Sequence, residues 1–228
     1  HWEKNLLNEV WSAHNLCQKE YPLLELDVQP GLHKLALNET THEQRSVGLC
    51  IATKHRLWQL RVALPLNILH AWPHRSWVKM HLVLCDCTDG THDWVMKHCR
   101  PAIEVGLLRV YHTDGEMRFW HTSIAKNTSH LVSTEEILVN LDGDNLIGKD
   151  FPKNVLKFFE EGYKVVQFED KERTAERLAY LRTDFIELGG YDEDAYPMGG
   201  RDTDMRARVR LKYKEQGVRV WDRVSGLY

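Results

Sequence analysis

Short apolar runs alternate with helix-like segments from Val47 onward, and this alternation constrains the fold more than any other feature of the sequence. Predicted strands cover residues 47–52, 77–85, 107–112, 137–141 and 163–168, and predicted helices cover 56–70, 91–99, 123–132, 151–161 and 203–216. Such alternation gives an α/β domain with a mostly parallel, Rossmann-like sheet flanked by helices. Ligands of such sheets bind at the carboxyl ends of the strands. A break in the first helix at Pro65 is left open.

One domain accounts for most of the 228 residues. We expect it to span residues 46–228, preceded by a helical extension over residues 1–45 that packs against it. In this extension, apolar residues recur at helical spacing from Trp2 to Trp11, and Pro22 ends the pattern. A linker or an anchor stem is the alternative interpretation. The chain begins at His1, which leaves open whether an upstream anchor or leader has been removed.

The composition argues against several classes of partner. A formal net charge of −3 gives no general attraction to nucleic acid or to membrane surfaces. No apolar run reaches the roughly 18 residues that a membrane span needs. We therefore expect no nucleic-acid partner and no membrane span in this chain. The five cysteines form no disulfide-like framework, which favours a reducing, cytoplasmic compartment slightly over a luminal one.

Two aspartates separated by one glycine, Asp142 and Asp144, directly follow the predicted strand at 137–141. Of the three Asp-x-Asp pairs in the chain, only this one follows an apolar strand, at the end where ligands collect. Hard oxygen ligands on a short exposed turn can hold a divalent cation against a diphosphate. The alternative is a polar turn in which an aspartate accepts hydrogen bonds from nearby backbone amides.

Charged residues also follow the first two predicted strands. Lys54 and Arg56 come after the first strand, where they could contact phosphate, or simply be solvated at a helix start. Asp86 comes after the second, where a carboxylate could accept from a nucleobase or a sugar hydroxyl. The chain contains no phosphate-binding glycine loop, so we expect phosphate to be held by a metal and by basic side chains.

A third group of residues lies near the start of the last predicted helix. The paired glycines Gly199 and Gly200 allow the backbone to approach a ligand closely, and Asp202 follows them. A carboxylate at a helix N-terminus is favoured in its ionised form, which suits a general base. A simple helix cap is the alternative role for Asp202.

In this order, the segments resemble those of the GT-A glycosyltransferases, in a form similar to family two and to the β-1,4-galactosyltransferases. The resemblance covers roughly residues 47–221 and includes the Gly-Gly-x-Asp motif of the chondroitin-synthase type. Its five segments are Cys-Ile-Ala-Thr-Lys-His-Arg at 50–56, Leu-Cys-Asp-Cys-Thr-Asp-Gly-Thr at 84–91, Ser-Ile-Ala-Lys-Asn at 123–127, Asp-Gly-Asp at 142–144, and 185–193 followed by Gly-Gly-Arg-Asp at 199–202.

The resemblance implies a metal-dependent, inverting glycosyltransferase that uses a nucleotide-diphosphate sugar, with UDP as the expected nucleotide. It implies that Asp202 is the general base and that Asp142 and Asp144, the Asp-x-Asp motif, bind Mn²⁺ or Mg²⁺. The donor-binding residues it implies are Thr53, Lys54, Arg56, Asp86, Lys126, Asn127, Asp142, Gly143 and Asp144. The acceptor-binding residues are Tyr196, Gly199, Gly200 and Arg201.

The sequence departs from the family pattern on the acceptor side. Arg201 stands where the family usually has a glutamate, and Met198 stands where the galactosyltransferases have a tryptophan, although Tyr196 could supply an aromatic surface. Because Arg pairs with carboxylate and phosphate, the acceptor could be an acidic glycan. Two alternatives to an active transferase stay open: a sugar-nucleotide or glycan binding module that has lost catalysis, and, less favoured, a nucleotidyltransferase.

Overall fold

A seven-stranded sheet organises the residues that the computed structural model describes, namely 45–169, 177–197 and 200–222. The strands lie in the order β3-β2-β1-β4-β6-β5-β7, and β6 is antiparallel to both of its neighbours while the other pairs are parallel. Their bounds are β1 Val47–Thr53, β2 Val78–Leu84, β3 Leu108–His112, β4 Ile137–Asn140, β5 Val165–Glu169, β6 Arg177–Leu181 and β7 Val218–Asp222.

Helices connect the strands and cover both faces of the sheet. Their bounds are α1 Leu57–Ala71, α2 Thr91–His98, α3 Arg100–Glu104, α4 Thr122–Leu131, α5 Phe151–Glu160, α6 Arg182–Glu187 and α7 Arg201–Tyr213, with 3₁₀ turns at Trp72–His74 and Glu215–Gly217. None of the helices in the described part of the chain combines the length and the apolar character needed to cross a lipid bilayer.

The core lies on both sides of the sheet because successive strand residues point to opposite faces. On one face, Leu49 and Ile51 of β1 pack with residues of α1 and α5, such as Leu64 and Phe151. On the other, Cys50 belongs to a separate buried cluster with residues of α6 and α7. The sheet therefore has one layer of helices on each face.

Parallel pairing brings the carboxyl ends of β1, β2 and β3 to one edge of the sheet. Thr53 pairs with Leu84, and Leu84 pairs with His112, so the three strands end at the same level. Strand β4 joins on the other side of β1, where Cys50 pairs with Asn140. The segments that follow these four strands consequently lie beside one another, as the sequence predicts.

Most predicted elements are present, with small shifts at their ends. The first helix continues through Pro65 from Leu57 to Ala71, so the break left open there does not occur. The last predicted helix begins two residues earlier than expected, at Arg201. Strands β6 and β7 and the short helices α3 and α6 were not predicted, because each has only five or six residues and carries no long apolar run. Nearly all of the predicted N-terminal extension, residues 1–44, lies outside the described residues.

A buried carboxylate links the parallel strands to the loop between α4 and β4. Glu135 accepts hydrogen bonds from Nε2 of His81 at 2.6 Å, from Oγ of Ser133 at 2.7 Å and from the backbone N–H of Thr134 at 3.1 Å. Burial alone would raise the pKa of Glu135, but the hydrogen bonds from His81 and Ser133 outweigh it and lower this pKa from 4.5 to about 2. The ionised form therefore stabilises the fold.

We predict that Glu135→Gln lowers the free energy of unfolding by about 2 kcal/mol at neutral pH, because the charged hydrogen bonds are lost. A carboxylate whose pKa is depressed in the folded state stabilises the protein above its unfolded pKa and loses that contribution as pH falls. The deficit of the variant should thus shrink between pH 4.5 and about 2. Urea unfolding at several pH values measures it.

The matched control for this experiment is Glu136→Gln. The neighbouring Glu136 side chain is 60% exposed and lies 4.0 Å from Arg45, so its removal should change stability by less than about 1 kcal/mol. Equal destabilisation by the two substitutions, or a Glu135→Gln deficit that does not change with pH, would contradict the interpretation of the buried carboxylate.

Candidate active site

The two aspartates after β4 lie on a tight turn that polar side chains hold in place. The backbone N–H of Asp142 donates to Oδ1 of Asn145 at 3.1 Å, and the N–H of Asn145 donates back to the carbonyl of Asp142 at 3.0 Å. Asn67 of α1 then donates to the carbonyl of Asn145 and accepts from the N–H of Ile147, both at 2.8 Å. The turn is therefore fixed before any ligand binds.

Gly143 lies in this turn because the backbone there passes close to β1. A Cβ atom at position 143 would lie 3.3 Å from Oγ1 and 3.4 Å from Cβ of Thr53, tighter than ordinary contact. The role of Thr53 in this structure is thus to pack against the turn at the end of β1. The contact of Thr53 with the sugar-nucleotide donor, which the resemblance implies, stays a prediction.

Two arginines face the aspartates. Arg56, just before α1, donates from Nη1 to Oδ2 of Asp144 at 3.0 Å, and Nε of Arg177 in β6 lies 3.5 Å from Oδ2 of Asp142. Arg177 was not predicted from the sequence, because its strand was not predicted either. The pairs place two guanidinium groups, which bind phosphate well, beside two carboxylates at the edge of the sheet.

The carboxylates of Asp142 and Asp144 fit a divalent cation of the Mg²⁺ or Mn²⁺ type. They are partly exposed hard oxygen ligands on a turn that is already ordered. Within the described residues, no group of three or more histidine, cysteine, aspartate or glutamate side chains is arranged to hold a metal. Mg²⁺ commonly binds through one or two carboxylates together with water and substrate phosphates, which matches this set.

Lys54 makes structural contacts at the end of β1. Its ammonium group donates to the carbonyl oxygens of Cys85 at 3.0 Å, Asp86 at 3.4 Å and Met117 at 2.7 Å. These contacts tie β1 to the end of β2 and to the loop that follows β3. The predicted contact of Lys54 with phosphate remains untested, and the structure gives this side chain a different role.

Asp86 is similarly engaged. Its carboxylate accepts hydrogen bonds from Oγ1 of Thr113 at 2.7 Å and from the N–H groups of Gly115 at 3.0 Å and Met117 at 2.8 Å. These hydrogen bonds, above all the one from Thr113, hold the pKa of Asp86 below its usual value despite partial desolvation. Asp86 therefore orders the loop after β3, and its predicted nucleotide contact stays a prediction.

An open pocket of about 390 Å³ lies between this loop and the residues after β1 and β2. The residues that line it include Lys54, His55, Asp86, His112 and Arg118. Of these, Lys54 and Asp86 fix the backbone around the pocket through the hydrogen bonds described above. The volume is within the range of small-molecule sites. The aromatic and guanidinium planes in the lining suit a flat heteroaromatic ring.

The predicted base, Asp202, pairs with Lys126. Asp202 lies in the first turn of α7, two residues after Gly200, whose φ of +80° favours glycine at the helix start. The ammonium of Lys126 in α4 lies 2.5 Å from Oδ1 of Asp202, and the two side chains are 10% and 24% exposed. The same ammonium lies 5.2 Å from the ring centroid of Tyr191. The sequence resemblance implies that Lys126 binds the donor and that Asp202 is the general base. In the structure these two side chains are in direct contact.

Strand β6 connects this pair to the aspartate turn, because its Arg177 lies 3.5 Å from Asp142 and its Tyr180 contacts the hydroxyl group of Tyr191. Burial raises the pKa of the Tyr191 hydroxyl well above the ordinary value, and the nearby charges of Asp202 and Asp142 raise it further. The predicted metal site and the predicted base belong to the same region of the molecule.

A network of buried polar side chains contacts the part of α4 that carries Lys126. His130 of α4 is fully buried, and burial lowers its pKa to about 3, so its ring is neutral. Its Nδ1 contacts the carbonyl of Lys126 at 2.6 Å, and its Nε2 contacts the hydroxyl of Tyr180 at 2.9 Å. The hydroxyl groups of Tyr180 and Tyr191 lie 3.5 Å apart. The network fixes the turn of α4 that carries Lys126.

Asn127 holds the acceptor-side loop. Its amide group donates to the carbonyl of Tyr191 at 2.8 Å and to Oε1 of Glu193 at 2.7 Å, while its oxygen accepts from the N–H of Tyr191 at 2.8 Å. Gly190, at φ +68°, passes so close that a Cβ there would lie 2.8 Å from Oδ1 of Asn127. A donor contact by Asn127 stays a prediction.

The remaining acceptor residues are only partly described. Tyr196 is exposed, and the neighbouring Pro197 carbonyl accepts hydrogen bonds from Thr122 of α4. Gly199 and the side chain of Arg201 lie outside what the structure describes. Sequence reasoning missed Asn67, Asn145, Arg177 and His130, whose contacts join residues far apart in the chain. Asn145 alone had a local signal, since it lies one residue after the Asp-x-Asp pair.

Comparison with known proteins identifies the fold. No family model and no curated protein matches the sequence. The chain is similar to the mannosyltransferase PcManGT of Pyrobaculum calidifontis, solved with GDP-Man and Mn²⁺, with a TM-score of 0.62 and 20% identity over 96% of this chain and 64% of that one. It is also similar to residues 1–349 of S. aureus TarS, solved with UDP-GlcNAc, with a TM-score of 0.65 and 14% identity over 80% of this chain and 58% of that one.

These likenesses confirm the predicted GT-A fold, a mixed α/β domain with a mostly parallel sheet flanked by helices. Identities of 20% and below establish the fold alone. The chain spans less than two thirds of the length of either protein.

We predict that Lys54→Met lowers the free energy of unfolding by about 2 kcal/mol, because three carbonyl oxygens lose a charged donor. Arg56→Gln serves as the matched control, since its exposed ion pair with Asp144 should contribute less than about 1 kcal/mol. Chemical denaturation of both variants measures the difference. If Lys54→Met were as stable as the wild type, the structural role of Lys54 would be wrong.

Proposed function

We propose that this protein is a metal-dependent, inverting glycosyltransferase, which moves a sugar from a nucleotide-diphosphate donor to a hydroxyl group of an acceptor. The observation that supports this most strongly is that strand β6 links the aspartate turn to the region of Asp202. Arg177 of this strand lies 3.5 Å from Asp142, and Tyr180 of the same strand contacts Tyr191. The ring of Tyr191 lies 5.2 Å from the ammonium group of Lys126, which pairs with Asp202. A donor site and a base in one region are what a direct transfer requires.

The donor half of the proposed site combines the aspartate turn, two arginines and the open pocket. Arg56 and Arg177 would supply fixed positive charge beside the diphosphate. The pocket lined by His112 and Arg118 would take the nucleobase. UDP is the nucleotide that the sequence resemblance implies, and one structural neighbour was solved with UDP-GlcNAc and another with GDP-Man.

Asp142 and Asp144 are the residues that would hold Mn²⁺ or Mg²⁺, in keeping with the Mn²⁺ in the PcManGT structure. A cation bound there would offset the negative charge that develops on the departing nucleotide diphosphate. Arg56 and Arg177, which pair with these carboxylates, would contact phosphate oxygens when the carboxylates bind the cation. The two guanidinium groups then keep the donor aligned through the reaction.

On the acceptor half, the carboxylate of Asp202 would accept the proton of the attacking hydroxyl group. The acceptor oxygen forms a bond to the anomeric carbon as the bond from that carbon to the diphosphate oxygen breaks. The nucleotide diphosphate leaves with the bonding electron pair, and attack from the opposite face inverts the configuration. Lys126, whose ammonium group lies 2.5 Å from Oδ1 of Asp202, would orient this carboxylate.

We predict that Asp202→Asn lowers sugar transfer by roughly a thousandfold, the scale of a lost general base, while nucleotide binding changes little. The test needs no known acceptor, because water can replace it. Metal-dependent release of UDP or GDP from UDP-GlcNAc and GDP-Man is measured for the wild type and the variant, with nucleotide affinity measured in parallel.

Asp204→Asn is the control, since Asp204 lies in the same turn of α7 and pairs with Arg208 at the surface. It should leave nucleotide release almost unchanged. Loss of nucleotide binding in Asp202→Asn would contradict the assignment of the base. Nucleotide binding by the wild type with no hydrolysis of either donor would favour the alternative, a binding module that has lost catalysis.

A further inference from the structure

We infer that Arg56 and Arg177 make the aspartate turn selective for a divalent cation that arrives together with a diphosphate. The two guanidinium groups compete with a cation that arrives alone, and they favour the same cation when a diphosphate accompanies it. This inference rests on the proposed function and extends it, because it gives Arg177 a role in ligand selection. Arg177 belongs to none of the segments that carry the sequence resemblance.

The first observation is that each arginine contacts a carboxylate oxygen that a cation would need. Nη1 of Arg56 donates to Oδ2 of Asp144 at 3.0 Å, and Nε of Arg177 lies 3.5 Å from Oδ2 of Asp142. A cation of the Mg²⁺ type binds such an oxygen at about 2 Å. A guanidinium group beside the same oxygen repels it, because like charges a few ångströms apart raise the free energy. Arginine and cation therefore compete for each aspartate.

The second observation is that the turn offers a lone cation few other ligands. Oδ1 of Asp144 accepts from Nδ2 of Asn145 at 3.4 Å, so both oxygens of this carboxylate already face hydrogen-bond donors. In the described part of the chain, no three or more histidine, cysteine, aspartate or glutamate side chains are arranged to hold a metal. The remaining positions around a cation must be filled by water or by phosphate oxygens. A diphosphate supplies the latter.

The third observation is the balance of charge at the turn. Its two carboxylates are each matched by one guanidinium group, so the two pairs carry no net charge that would attract a lone dication. The fold keeps the positive charges there, because Arg177 is only 20% exposed and its residue pairs with Phe168 of β5. A diphosphate gives both guanidinium groups a new partner, since arginine binds phosphate oxygens bidentately. The carboxylates are then released to the cation.

This exchange of partners couples the two ligands. A nucleotide that engages the arginines raises the affinity for the cation, and the cation raises the affinity for the nucleotide by the same factor. Removing an arginine should therefore have opposite effects on the two ligands. Affinity for the cation alone rises, whereas affinity for the nucleotide in the presence of the cation falls. A residue that only stabilised the turn would lower both affinities when it was removed.

The test first measures binding of Mn²⁺ alone to the full chain, from the electron paramagnetic resonance signal of free hydrated Mn²⁺. Arg56→Gln and Arg177→Gln are compared with the wild type and with Arg100→Gln. Arg100 pairs with Glu104 at 2.7 Å on the surface of α3, which precedes β3 at the opposite end of the sheet. This control loses the same charge and frees a carboxylate away from the turn. Titration calorimetry then measures binding of UDP and GDP to each protein with Mn²⁺ present.

We expect each of the two site variants to bind Mn²⁺ alone roughly fivefold more tightly than the wild type, the scale of one lost exposed ion pair. The same variants should bind the nucleotide with Mn²⁺ roughly tenfold more weakly, because a charged hydrogen bond to phosphate is lost. Arg100→Gln should match the wild type in both measurements. Adding Asp142→Asn to Arg177→Gln should abolish the gain in Mn²⁺ affinity, which places that gain at the aspartate turn.

The inference is overturned if either site variant binds Mn²⁺ alone no more tightly than the wild type, if Arg100→Gln shows the same gain, or if the gain persists without Asp142. Its failure can be told apart from failure of the proposed function. A gain in both site variants, with no binding of UDP or GDP by any protein, contradicts the proposed function and leaves the competition at the turn standing. Nucleotide binding by the wild type without a gain in the variants contradicts the inference alone. Equal melting temperatures verify that all variants are folded.

Discussion

The parallel pairing of β1, β2, β3 and β4 is the constraint on which the rest of the structure depends. Because parallel strands end at the same edge, the four segments that follow them lie beside one another. Contacts between the segments, such as those of Lys54 with Asp86 and Met117, then tie them together. The aspartate turn, the pocket and the start of α4 all come from these segments. Helix α7, which carries the proposed base, joins them through the contact between Lys126 and Asp202.

Several polar residues at this edge hold backbone in place. Lys54 binds three carbonyl oxygens, Asp86 binds two amides and a hydroxyl, and Asn127 binds both sides of Tyr191. Each fixes a loop that has no secondary structure of its own. A site that changes little on ligand binding loses less free energy to ordering when the donor arrives. We regard these residues as the frame around the groups that would touch substrate.

The sequence predicts most of the strands and helices, but it reveals only some of the contacts at the candidate site. Strands such as β1 and β4 are apolar throughout, and the Asp-x-Asp pair directly after β4 is a local signal. Arg177 could not be found this way, since its short strand has no distinctive pattern and its partner Asp142 lies 35 residues away in the chain. The roles of Lys54 and Asn127 depend on contacts between residues separated by 31 to 66 positions, which residue type and spacing do not reveal. On the acceptor side, Gly199 and the side chain of Arg201, from which the sequence suggests an acidic acceptor, lie outside the described residues.

The central claim is that this edge binds a nucleoside diphosphate together with a divalent cation. Isothermal titration calorimetry of UDP and of GDP, each with Mn²⁺ and with a chelator, tests it most directly. The account predicts that one of the two nucleotides binds in the micromolar to millimolar range with Mn²⁺, and about tenfold or more weakly without it. It also predicts that Asp144→Asn removes this dependence on the metal. Absence of binding by both nucleotides, or equal binding with and without Mn²⁺, would contradict the account.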